Sequence, residues 1–336
     1  MDWFQRLTGF REGPYAETRS RLRVEEGRLY SDANGGSWAV GDLSLPSLAE
    51  LRAEVLAGEG PAGRIRVRNL SGDIRALHRL DAHSGALFQV ASQFNMLEMV
   101  GPNVTPEAGV TGYEHDLTQG PACAIAAGAA TIFRNYFAPV DGHIGQTSDR
   151  QLDGSAGLRL GLSALTGHPE DSLWTMRNGY ALPSADRLAD IEDMLGVLDD
   201  REIDQLRGAL RVGLHRDVEV TDAGLTGQIV SQIFCSAMPV AYTPHGKAAW
   251  APLARLVLEA AYEATVWAGV LNARRGASDM VFLTRLGGGA FGNDALWIDA
   301  AMQRALDLAA GYGLEVGLVS HGTPPASMLA LADRYG

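Results

Sequence analysis

The stretch from 249 to 272 constrains the fold of this chain more than any other. Its apolar residues recur at 250, 253, 257, 260, 264, 267 and 271, steps of three and four that draw one buried stripe along an α-helix. Strand-like segments flank it, at 228–235 and at 280–286, and a second helix at 295–310 leads to a last strand at 314–320. Upstream, Ile65 and Val67 alternate with arginines as a half-buried strand does, and 86–92 is apolar throughout except for Gln89, as in a strand covered on both faces. Residues 119–137 read as one helix rich in small side chains, opened by Thr118, Gly120 and Pro121. Strands alternating with helices predict an α/β fold around a mainly parallel sheet.

Two regions stand apart from that rhythm. Residues 1–62 combine polar turns (Asp32 to Gly36) with short alternating segments and a helix through Leu48, Leu51 and Val55, and read as an N-terminal lobe. Residues 63–336 form the core, interrupted at about 145–212 by a polar, helix-like insertion in which Leu188, Ile191, Met194, Leu195 and Leu198 keep helical spacing.

Charge and cysteine content remove several function classes. With 28 basic and 40 acidic residues the net charge is −12, which disfavours nonspecific binding to nucleic acid or to an anionic membrane. Arg255, Glu259 and Glu263 interrupt the greasiest helix, so it is not expected to span a bilayer, and the first residues lack a signal-peptide core; a cytoplasmic protein is the expectation. Cys123 and Cys235 are the only cysteines, too few for a disulfide framework or a cysteine zinc site. The single lysine, Lys247, follows no glycine-rich loop, which argues against a Walker-type phosphate loop. His78, Asp81 and His83 have ligand-like spacing but no further ligand at credible spacing, and no metal or other cofactor is expected.

Glycine is in excess, 40 residues or about 12% against a usual ~7%, and the excess has one conspicuous focus. Gly287, Gly288, Gly289, Ala290, Phe291, Gly292 and Asn293 follow a strand and precede a helix. Glycine lets a backbone approach a diphosphate closely, and a helix N-terminus aims amide donors at it. The spacing also satisfies G-x-G-x-x-G, but the next strand ends in Ser320-His321 rather than in the acid a dinucleotide fold requires.

The second dense region begins where strand 86–92 ends. Gln93 and Asn95 emerge at the point where α/β folds place their ligands. A glycine-interrupted loop then carries Glu107, Glu114, His115, Asp116 and Gln119 into a helix start. Carboxylates there can cap a helix, or one can orient a sugar hydroxyl and activate water while another steadies a leaving group. Asp73 and Ile74, after the strand at 64–70, are positioned as a turn or as a contact for an adenine amino group.

Taken in order, Gly72-Asp73-Ile74, the strand ending Gln93-Phe94-Asn95, the acidic loop into a helix and the run Leu283 to Gly292 resemble a macrodomain. The stretches ALFQVASQFNMLEM, GVTGYEHDLTQGPACA, FRNYF, CSAMPVAY, AAYEAT and LGGGAFGN are similar to large macrodomain-type proteins, some of them ADP-ribosylhydrolases, over most of 64–321. The resemblance implies a three-layer α/β/α sandwich that binds ADP-ribose, with Asp73 and Ile74 at the adenine, Asn95 beside the distal ribose, Gly287–Gly292 at the diphosphate and Phe291 beside the distal ribose. The hydrolytic carboxylate would lie among Glu107, Glu114 and Asp116. Here Ala91-Ser-Gln-Phe-Asn95 replaces the family's Asn-Ala-Ala-Asn, and the first loop lacks its triple glycine, so the individual roles stay open.

The function expected is hydrolysis of an ADP-ribosyl bond on a modified protein side chain, with ADP-ribose and the ADP-ribosylated protein as partners. Asp116 is the leading base, and Gln93 and Asn95 would position ribose or water. An ADP-ribose-binding module without catalysis is the alternative; a nicotinamide-dependent oxidoreductase rests on the glycine spacing alone.

Overall fold

The computed structural model describes residues 1–222 and 227–336. A seven-stranded sheet runs through the centre. In chain order its strands are β1 (Asp42–Ser44), β2 (Arg66–Ser71), β3 (Leu87–Ala91), β4 (Gly213–Glu219), β5 (Ile229–Cys235), β6 (Met280–Leu283) and β7 (Glu315–Ser320). Across the sheet they lie in the order β1-β4-β5-β3-β6-β7-β2. The five from β5 to β2 are parallel, while β4 and β1 add an antiparallel edge. The sheet is therefore mixed and mainly parallel, as the alternation of strands and helices predicts.

Side-chain alternation makes the three layers. Leu87, Ile233, Val281, Leu283, Val316 and Leu318 point into one core with the helices Lys247–Arg274 and Ala295–Leu308. Their neighbours Phe88, Val90, Val230, Phe234, Phe282 and Val319 point into the opposite core, where Cys123 and Ala127 meet them. Gln89 is tolerated inside β3 because its Nε2 donates to Thr265 Oγ1 at 2.9 Å and its Oε1 accepts from the Thr284 amide at 3.2 Å.

The structure differs from the sequence reading at several elements. The segment 119–137 is two helices, Gln119–Ala126 and Gly128–Tyr136, broken at Ala127. Thr131 Oγ1 donates to the Ala124 carbonyl at 2.7 Å, and the Gly128 amide turns instead to Thr221 Oγ1 at 2.9 Å. Strand β4, whose sequence Gly-Leu-His-Arg-Asp-Val-Glu lacks clean alternation, bulges between His215 and Val218, with Asp217 at a φ of 57°. The N-terminal segment supplies β1 to the sheet as well as a three-stranded sheet of its own at 22–25, 28–31 and 37–39. Residues 145–212 carry helices at 156–166, 170–173, 185–197 and 200–209, and Leu158, Leu173, Leu188 and Leu206 join the core of the long helix. Among the described residues no helix is long and apolar enough to cross a membrane.

Candidate functional site

The carboxyl ends of β3, β5, β6 and β7 open on one cleft of about 330 Å³, the place where a parallel sheet presents loops rather than side-chain layers. Ser92 and Gln93 enter it after β3, Ala237 and Tyr242 after β5, the segment Thr284–Gly287 with Gly289, Ala290 and Phe291 after β6, and His321 after β7. The segment Asp116–Pro121 forms the facing wall. The glycine turn and the acidic segment, far apart in sequence, thus share one cavity.

The glycine turn is fastened from behind. Gly287 has a φ of 71°, and a Cβ there would stand 2.4 Å from the Ala237 Cβ, so only glycine fits without displacement. Asn293 Nδ2 donates to the Met238 carbonyl at 2.8 Å, and the Ala241 amide donates to the Phe291 carbonyl at 3.0 Å. Among the described residues no protein group takes up the amides of Gly289 and Ala290. The helix that follows does not offer its N-terminus as expected: Asp294 caps it, accepting from the Leu296 amide at 3.0 Å, and pairs with Lys247. Anion donors on this side are loop amides, not helix amides.

The opposite helix start is the open one. Thr118 makes no side-chain cap, and Asp116 Oδ1 accepts from the Thr118 amide at 2.9 Å, one position short of the helix. Gln119 and Gly120 amides remain at the cleft wall, in a position suited to an anion. The Gln119 side chain itself is tied to β3, accepting from the Ala91 amide at 2.9 Å and donating to the Gln89 carbonyl at 2.7 Å.

An aromatic wall closes one end. Tyr180 and Phe291 have ring centroids 5.2 Å apart, and Tyr242 lies 5.0 Å from Tyr180 and 5.6 Å from Phe291. Tyr180 Oη donates to the Met99 carbonyl at 2.9 Å; burial, and then the neighbouring Tyr242, push its hydroxyl above the usual phenol range. This ring comes from the hairpin 175–182, inside the helical insertion.

Of the remaining expected residues, all but Gln93 lie outside the cleft lining. Glu107 Oε1 accepts from the Ser148 amide at 2.8 Å; burial raises this carboxyl, but the bonds from Ser148 and Thr105 outweigh it and hold the group below the usual range. Glu114 accepts from the Trp3 amide at 3.2 Å and pairs with Arg6, anchoring the first helix. Asn95 is fully buried, with Nδ2 donating to Gln151 Oε1 at 2.8 Å and Oδ1 accepting from the Leu97 amide. Gln93 lines the cleft, yet both ends of its amide bond to Met99 and so brace the turn after β3. Asp73 Oδ1 accepts from the Arg75 amide as a cap, with Ile74 buried behind it. Gly288, Gly292 and Asn293 belong to the turn but not to the cleft surface.

The structure adds Glu98, Tyr180, Tyr242, Arg285 and His321 to the lining. Glu98 had a visible signal, a lone acid in the apolar run Met96-Leu97-Glu98-Met99. It is buried; desolvation pushes its carboxyl up to about 7, against the lowering effect of Arg134 and Tyr113. The two tyrosines had no local signal, because only the fold brings their segments together.

No family model matches the chain, and no curated protein matches it. Among solved structures, the chain is similar to the poly(ADP-ribose) glycohydrolase of Thermomonospora curvata bound to the inhibitor ADP-HPD, at 16% identity and a TM-score of 0.46, covering 95% of this chain and 97% of that one. It is also similar to the poly(ADP-ribose) glycohydrolase of Deinococcus radiodurans in complex with ADP-ribose, at 14% identity and a TM-score of 0.45, covering 97% and 98% respectively.

Proposed function

We propose that this protein hydrolyses an ADP-ribosyl bond on a modified protein side chain. The observation that carries the reading is the pairing of free loop amides at Gly289 and Ala290 with the uncapped helix start at Gln119 and Gly120 across one cleft. Two sets of amide donors facing each other suit a diphosphate, and the rings of Tyr180, Tyr242 and Phe291 suit the flat face of a sugar or base. The macrodomain-like motifs of the sequence agree with such a ligand. Asp116, partly exposed on the cleft wall, is the residue we assign to orienting the attacking water.

The test is release of free ADP-ribose from ADP-ribosylated protein. Asp116→Ala is expected to slow release by about 10²–10⁴-fold, the usual weight of a positioned acid or base. Glu114→Ala is expected to retain turnover, since Glu114 holds the first helix rather than the cleft. Full activity in D116A ends the assignment of Asp116.

One observation favours the second reading, a module that binds ADP-ribose without cleaving it: Asp116 Oδ1 is already engaged by the Thr118 amide. Calorimetry with ADP-ribose separates the two, because tight binding without any product identifies the module.

A further inference from the structure

We propose that Glu98 is a second catalytic carboxyl of this cleft, the general acid that protonates the departing side chain of the ADP-ribosylated target. The inference rests on the hydrolytic reading above and adds a residue to it.

Three observations carry it. Glu98 lines the cleft and is itself 2% exposed, and its Oε2 has no hydrogen-bond partner among the described residues. A buried carboxyl oxygen left unpaired is costly, and native structures keep such groups where a ligand or a reaction uses them. The other oxygen is occupied: Oε1 accepts from Arg134 Nη2 at 3.3 Å. Arg134 is in turn immobilised, donating from Nε to the Met96 carbonyl at 3.0 Å and from Nη2 to Thr131 Oγ1 at 3.1 Å, with its guanidinium 3.8 Å from the centroid of the Phe234 ring. The cation on Oε1 directs a proton to Oε2. Gly120 packs directly against this pair, and only glycine fits there: a Cβ would stand 3.2 Å from Glu98 Cγ and 2.0 Å from the Ala91 carbonyl oxygen.

The groups packed against Glu98 are Arg134, Tyr113, whose Oη accepts from the Glu98 amide at 3.0 Å, and the buried Cys123 thiol; Asp116 stands on the cleft wall. Burial places the carboxyl near neutrality, the range in which an acid both holds and gives up a proton at physiological pH. The step balances. The bond from the anomeric carbon to the side-chain heteroatom breaks, its electron pair stays on that atom, and the Oε2 proton joins it. Water bonds to the anomeric carbon and gives up one proton to Asp116, which passes to solvent, while the Glu98 carboxylate is reprotonated from solvent.

The experiment compares two substrates, ADP-ribosylated protein and an ADP-ribosyl para-nitrophenyl ether, whose leaving group departs without protonation. In Glu98→Gln, close in shape to the native residue, release from protein is expected to fall about 10²–10⁴-fold while the aryl substrate loses less than about tenfold. Calorimetric ADP-ribose affinity should stay within about threefold in the same variant, which shows that the cleft is intact. The alkaline limb of the wild-type kcat profile should be absent from E98Q and present in Glu98→Asp. Equal loss on both substrates, or none on either, overturns the assignment of Glu98 and leaves hydrolysis standing. A wild-type protein that binds ADP-ribose but cleaves neither substrate overturns the hydrolytic reading, and Glu98 as an acid with it.

Discussion

Asn293 reaches back across the end of the sheet and donates from Nδ2 to the Met238 carbonyl at 2.8 Å. Together with the bond from the Ala241 amide to the Phe291 carbonyl, this contact joins the glycine turn after β6 to the loop after β5, so the amides at Gly289 and Ala290 are held in part by a side chain that never enters the cleft. Asn293→Ala removes that donor and leaves the Met238 carbonyl with the Val240 amide alone, at a cost of about 0.5–1.5 kcal/mol. Thermal unfolding should register the loss, and calorimetry should show ADP-ribose binding weakened by more than the same change at an exposed turn position such as Asn34.

The N-terminal lobe acts on the cleft through Glu12. Its carboxylate accepts from the Val110 and Thr111 amides at 2.9 and 2.6 Å and from Tyr136 Oη at 2.8 Å, fixing the loop that leads to Asp116. Glu12→Ala strands three donors and should destabilise the protein by roughly 2–4 kcal/mol. Urea unfolding measures this as a lower midpoint at unchanged slope. Glu12→Gln, which keeps one acceptor oxygen, should lose less.

Tyr180 tests whether the insertion contributes to binding. Tyr180→Phe removes the hydroxyl's bonds, to the Met99 carbonyl and from Gln93 Nε2, whereas Tyr180→Ala removes the ring that packs on Tyr242 and Phe291. A lost stacking partner is worth about 1–3 kcal/mol, or about 5- to 150-fold in affinity. ADP-ribose titrations should show that loss in the alanine variant and a minor change in the phenylalanine variant.

Glu98 also gives stability a pH dependence of defined sign. Its folded carboxyl titrates at about 7, above the 4.5 of an exposed glutamate, so between those values the native state holds a proton that the unfolded chain has released. Its contribution to stability therefore declines as pH rises from about 4.5 to about 7 and is lowest above that. His78 acts in the opposite direction: burial lowers its imidazole to about 4, so its contribution is lost as pH falls below 6.5. Unfolding free energies of wild type and E98Q, measured from pH 5 to 8, isolate the first effect; their difference should change across that interval. A difference that stays flat contradicts the raised carboxyl.

How much of this was legible in the residues depends on the range of the force that placed them. Burial of one face is written in spacing, so the stripe at 250 to 271 and the strands around it carried the mainly parallel α/β sheet. A turn whose φ is 71° demands glycine at 287, and that demand too is local and visible. The break at Ala127 was not visible, because it depends on Thr221, which reaches Gly128 from 93 positions away. Nor was the sorting of the carboxylates. Glu107, Glu114 and Asp116 are alike in sequence, and only folding hands the first to Ser148 and the second to Trp3 and leaves the third on the cleft. The chain's own pattern thus determined the layers and the glycine turn, since periodicity and steric need act over a few residues. The tertiary structure alone decided that Glu98 would be buried beside Arg134 and that Tyr180 would face Phe291, because desolvation and ring contact arise only when distant segments are brought together.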